Sequence, residues 1–147
     1  MLSGLIAGIA IHHNLSTARK RATIDVVMHE KGANLALIEA RRTVLALHGT
    51  KENLSKFATK DYVTSKEAMA ILTVLNFREF VAAGIREKAF DGAMYKRVQF
   101  SSLTRDWENL KGFILELRKT RGRPSLFQEF QLLAERWLKK PLKVDVQ

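Results

Sequence analysis

The segment AMAILTVLNFREFVAAGI, residues 68–85, carries apolar side chains in almost every direction around a helix. A helix that is apolar all round has to be enclosed by other elements, so the fold is expected to be built around this one. Thr64 and Glu67 stand just ahead of it at capping-box spacing. A chain of 147 residues holds material for one core and too little for two, so one domain is expected.

The flanking segments supply the enclosing helices. STARKRATIDVVMHEKG keeps helical composition up to Gly32, and Asn34 can cap NLALIEARRTVLALHG, in which Leu37, Ala40, Val44 and Leu47 share a face and Gly49 is the stop. KENLSKFA reads as a short helical connector. Asp91 can cap the segment that follows the central helix. Within it, Leu103, Trp107, Leu110, Ile114 and Leu117 recur at steps of four and three, a bundle-type seam. TRGRPS is the clearest break, with Gly122 ending one helix, Pro124 blocking continuation and Ser125 placed to cap LFQEFQLLAERWL. Pro141 ends that helix. Phe77, Phe80, Trp107, Phe113, Phe127, Phe130 and Trp137 all fall on apolar faces and are expected in the core. No segment alternates apolar and polar residues over a strand length. The expected fold is therefore all-α, a compact bundle of five or six helices with a long N-terminal helix.

The opening MLSGLIAGIAI is followed by His12 and His13 and then by Arg19, Lys20 and Arg21. As a helix its eleven residues would be about 16 Å long, against a hydrocarbon core of roughly 30 Å. The charges follow the apolar run, the reverse of a secretory signal. The stretch reads as the cytoplasmic part of a truncated membrane anchor, with the basic triplet on the inner side and Gly4 and Gly8 at a helix-packing spacing. The alternatives are an apolar end lying at an interface and a helix packed on its own bundle. The organisation expected is residues 1–16 as this apolar segment, 17–140 as the bundle and 141–147 as a frayed tail.

A net charge of +10 makes anions the default partners: an acidic membrane surface, nucleic acid or an acidic protein. The absence of cysteine excludes disulfides, thiolate metal sites and a cysteine nucleophile. His12 and His13 point about 100° apart on a helix, and Glu30, Glu39, His29 and His48 form no recognised ligand spacing, so neither a metal nor another cofactor is expected. Asn76, Glu79 and Arg86 lie on roughly one face of the central helix, with Arg105, Asp106 and Glu108 available across from them. Such a cluster can form a pocket or an ion pair that sets helix register. No nucleophile, histidine base or phosphate-binding loop accompanies it, and register is the expected role. The basic run RKTRGR could grip phosphates, but it also suits a solvated helix end that complements the helix dipole.

LNFREFVAAGIREKAFD and RDWENLKGFILELRKTRGRPSLFQEFQLLAERW together resemble a bacterial and phage family described as a domain of unknown function, number 4760 in that series. The residues carrying the resemblance are Phe77, Glu79 and Phe80, Trp107 and Lys111, the Gly122–Pro124 break, and Glu135 to Trp137. It implies an N-terminal transmembrane helix followed by a helical cytoplasmic domain, of which this chain would hold only the inner part of the span. The expected function is non-enzymatic: a membrane-proximal domain at the inner face of a bacterial membrane. Arg19, Lys20 and Arg21 would contact acidic headgroups while the bundle presents a surface to another protein or to a second copy. The alternative is a soluble basic bundle that binds nucleic acid.

Overall fold

A computed structural model describes residues 2–143, with side chains from residue 11 onward. Among the described residues are five α-helices and no strand: α1 (Leu2–Met28), α2 (Leu35–Gly49), α3 (Lys66–Arg86), α4 (Gly92–Arg121) and α5 (Gln128–Lys139). A π-helical turn, His29–Ala33, joins α1 to α2, and a 3-10 turn, Leu54–Ala58, precedes α3. The architecture is the all-α bundle with a long first helix that the periodicity requires. The side chains of the opening stretch through Ala10, and residues 144–147 of the expected tail, lie outside the described residues.

Local chemistry explains most boundaries. Asn34 Oδ1 accepts from the Leu37 N–H at 3.0 Å, and Asp91 Oδ1 from the Met94 N–H at 3.0 Å, each satisfying a donor that the first turn leaves orphaned. At α3 the cap is Ser65, whose Oγ accepts from Ala68 N–H at 3.1 Å, one residue beyond the Thr64 that the capping-box spacing suggests. Gly122 sits at φ 60°, and the Arg123 N–H returns to the Arg118 carbonyl at 3.0 Å, closing α4. The start of α5 departs from expectation. Ser125 is not its cap; Phe127, at φ 57°, is the residue before the helix and makes no side-chain cap bond. Its ring is buried, so core packing holds a left-handed backbone that a polar cap would not need.

The core follows the helix faces. α3 packs along α2 and α5, the 3-10 turn lies on α4, and α5 closes over α4. A Cβ at Gly112 would stand 2.9 Å from Ser55 Oγ, so the 3-10 turn comes close to α4 at that glycine. Trp107 meets Phe130 edge-on at 5.8 Å, and Trp137 stacks on Phe100 at 6.2 Å. Trp107, Phe113, Phe127, Phe130 and Trp137 are buried as expected, and so is Leu75. Phe80 is not: it is 60% exposed, and Phe77 and Leu72 are half-buried. Phe77 and Phe80 face a gap beside α1, where Ala22 and Asp25 are too short to cover them, and Phe80 rests edge-on against Phe90 at 5.8 Å. α3 is long and apolar enough to cross a membrane by length and composition. Seven of its apolar residues, together with Arg78, are buried in the bundle.

Among the described side chains, α1 joins the bundle through its second half. Every side chain from Ile11 to Leu15 is exposed, and the first buried one along the described part is Thr23, followed by Val26 and Glu30. Thr23 Oγ1 donates to the Arg19 carbonyl at 2.7 Å and accepts from the Asp91 N–H at 2.8 Å, fastening α1 to the start of α4.

Candidate functional site

Of the residues expected to cluster on the central helix, two meet the same partner and one does not. The Glu79 carboxylate accepts from the Glu129 N–H at 3.2 Å and the Phe130 N–H at 2.8 Å, capping α5 from across the bundle. Phe127 offers no such cap itself, so Glu79 replaces it, its charge favoured by the dipole at a helix N-terminus. Arg86 pairs with Glu129, while Asn76 is exposed. The pairing sets how α3 and α5 sit on each other. Glu79→Gln, which keeps one acceptor but loses the charge, is expected to lower stability by about 1 kcal/mol with the helix content unchanged, measured by urea denaturation.

Asp106 turns away from these residues and toward Arg78, part of a network the sequence reading did not single out. Arg78 is fully buried. Its Nε donates to Asp106 Oδ2 at 2.8 Å, Nη1 to Tyr95 Oη at 3.0 Å and Nη2 to Ser102 Oγ at 2.8 Å, and Nη1 lies 3.1 Å from Glu30 Oε1. Tyr95 Oη donates in turn to Glu30 Oε2 at 2.9 Å. Arg41 Nη2 reaches Glu30 Oε1 at 2.5 Å, and Arg41 Nη1 reaches Ser102 Oγ at 3.3 Å. Two guanidinium groups and two carboxylates from α2, α3, α4 and the π-turn thus balance to zero charge. The wide π-turn brings Glu30 inward. The legible signal was Arg78 itself, four residues after Val74 and four before Ala82, a charge in the buried stripe of the central helix.

Burial works against the Arg78 cation, but Asp106 foremost, with Tyr95 and Glu30, outweighs it and holds its pKa above the ordinary arginine value. Arg41 is pushed the other way, by burial first and then by the neighbouring Arg78. Burial also raises Tyr95, helped by Glu30 and opposed by Arg78. Because the folded state holds the Tyr95 proton more tightly than the unfolded chain, this contribution to stability is intact below about pH 10 and is lost as pH climbs above it. In a Tyr62→Phe chain, whose one tyrosine is Tyr95, phenolate absorbance is expected to appear only together with the loss of helical circular dichroism. Phenolate forming in the folded protein near pH 10 would contradict the buried network.

Both carboxylates of the network are engaged by Arg41, Arg78 or Tyr95, which ties α2, α3, α4 and the π-turn together. One donor is left over: Arg41 Nε is shut off from solvent without a hydrogen-bond partner, which costs about 1–3 kcal/mol. No group of three or more histidine, aspartate or glutamate side chains among the described residues could hold a metal ion. The RKTRGR run serves the helix end: Arg118 Nε donates to the Leu126 carbonyl at 2.9 Å, and Lys119 pairs with Glu116 at 3.5 Å. Lys20 and Arg21 are exposed and Arg19 half-buried on α1, and among the described residues none of the three forms an ion pair. They follow directly on the exposed Ile11–Leu15 turn.

A family model described as a domain of unknown function, DUF4760, matches residues 1–137. No curated protein and no solved structure matches the chain.

Proposed function

The chain belongs to the DUF4760 family, and on that premise we propose a non-enzymatic, membrane-proximal helical domain at the inner face of a bacterial membrane. α1 meets an acidic lipid surface, and the bundle is presented to a protein partner or to a second copy. The observation that carries this reading is the exposed Ile11–Leu15 turn of α1. Ile11 is 60% exposed and Leu15 52%, one turn apart on one helix face, and Arg19, Lys20 and Arg21, which form no ion pair among the described residues, come within two turns. Apolar side chains that the protein's own core leaves uncovered, beside unneutralised cations, suit the boundary between acyl chains and acidic headgroups. The open cleft floored by Phe77 and Phe80, about 660 Å³ in volume, gives the bundle an apolar surface for a partner.

Sedimentation of the full chain with phosphatidylglycerol-containing vesicles tests the reading. Each basic residue at an acidic surface adds about 1 kcal/mol, so Arg19→Glu/Lys20→Glu/Arg21→Glu is expected to weaken vesicle binding by about a hundredfold or more at low salt. Ile11→Asp/Leu15→Asp is expected to remove the part that survives high salt, because apolar burial is not screened. Vesicle binding indifferent to both variants, with duplex DNA or RNA held tightly at physiological salt, would instead favour a nucleic-acid binder.

A further inference from the structure

On the face of the bundle between α2 and the first half of α4 lies a groove of about 570 Å³, unrelated to the lipid-facing end of α1. Lys31, Arg41, Arg42 and Arg105 line it, and Glu30 is the one carboxylate among its walls. Glu30 is already committed to Arg41, Arg78 and Tyr95. Lys31, Arg42 and Arg105 are exposed and form no ion pair among the described residues. Four cations against one spent carboxylate leave an uncompensated charge of three in a concave site, where field lines concentrate.

Arg41 is the fixed element. Glu30 and Ser102 hold its terminal nitrogens, so the guanidinium is oriented before any ligand arrives. Planar guanidinium groups of this kind match the oxygens of a phosphate. Leu45, 63% exposed, and Val98, 45% exposed, belong to the same groove. An apolar margin beside a basic floor suits a ligand with an organic body as well as a phosphate, and the volume falls in the range of small-molecule sites.

We propose that this groove binds the phosphate groups of a small soluble molecule of nucleoside-diphosphate size, with Arg41, Arg42, Arg105 and Lys31 as the contacting cations. A lipid headgroup carries the same phosphate chemistry. However, Lys31 stands twenty residues from Ile11, roughly 25–30 Å along the helix axis, which places the groove away from the end of α1 assigned to the membrane and favours a soluble source.

The test is calorimetric titration of the folded full chain with pyrophosphate and with ADP at 0.1 M salt, beside binding to phosphatidic acid vesicles. Arg42→Glu/Arg105→Glu alters two exposed side chains and leaves the buried network intact. It is expected to weaken ADP and pyrophosphate binding at least tenfold. Arg121→Glu/Arg123→Glu makes the same charge change at the far end of α4, on side chains that are also exposed, and is expected to change it less than twofold. Absence of binding by either probe, or equal weakening by both variants, would overturn the site. Groove-dependent binding to phosphatidic acid vesicles without binding of the soluble probes would overturn the soluble-ligand assignment.

Discussion

Arg78→Met is expected to destabilise the protein by about 3–5 kcal/mol, the usual cost of leaving partners of a buried ion pair uncompensated. For a chain of this size that is a fall in melting temperature on the order of 10 °C. The side chain is fully buried and donates to Asp106, Tyr95 and Ser102 while lying against Glu30. Without it, Glu30 and Asp106 share only Arg41, and the cluster carries one excess negative charge. The charge count also predicts the rescue. Arg78→Met/Asp106→Asn leaves Arg41 facing Glu30 alone, a balanced pair at 2.5 Å, and is expected to be more stable than Arg78→Met. Urea denaturation of both variants measures this. A loss under 1 kcal/mol in the single variant, or a double variant weaker than the sum of its parts, would contradict the network as described.

The second large effect is expected at Phe130, which is fully buried and meets Trp107 edge-on at 5.8 Å. Phe130→Ala is expected to cost about 3–5 kcal/mol through lost burial and the cavity that remains. α5 should suffer first, because the Phe130 ring anchors its first turn against Trp107 of α4. Urea unfolding followed by tryptophan fluorescence, to which Trp107 and Trp137 both contribute, reads the loss. A cost below about 1.5 kcal/mol would mean that the site collapses freely and that α5 is held by something other than this contact.

What the sequence disclosed and what it withheld divide along physical lines. Helix positions and most caps were legible because Asn34, Asp91, Gly49 and Gly122 act on their immediate neighbours. The start of α5 was not, since Phe127 adopts its left-handed backbone under the pull of the core and its cap comes from Glu79, 50 residues away. Likewise Phe80 has the spacing of a core residue, but whether a face is covered depends on what lies opposite, and α1 brings Ala22 and Asp25 there. Glu79 and Arg86 share a face of α3 and both reach the start of α5, while Asn76 is exposed. The Arg78 network stayed hidden because Glu30, Arg41, Tyr95 and Asp106 are spread over most of the chain. Only the charge inside the central stripe of α3 pointed to it.

The central proposal is that the exposed Ile11–Leu15 turn of α1 enters the boundary of an acidic bilayer while the bundle stays outside. The chain has no cysteine, so Leu15→Cys and Leu45→Cys can each carry one environment-sensitive fluorophore, the first on α1 and the second on the exposed surface of α2. On adding phosphatidylglycerol-containing vesicles, the label at position 15 is expected to shift to the blue and to be quenched by brominated acyl chains, while the label at position 45 stays unchanged. No shift at position 15, or equal shifts at both positions, would contradict the claim.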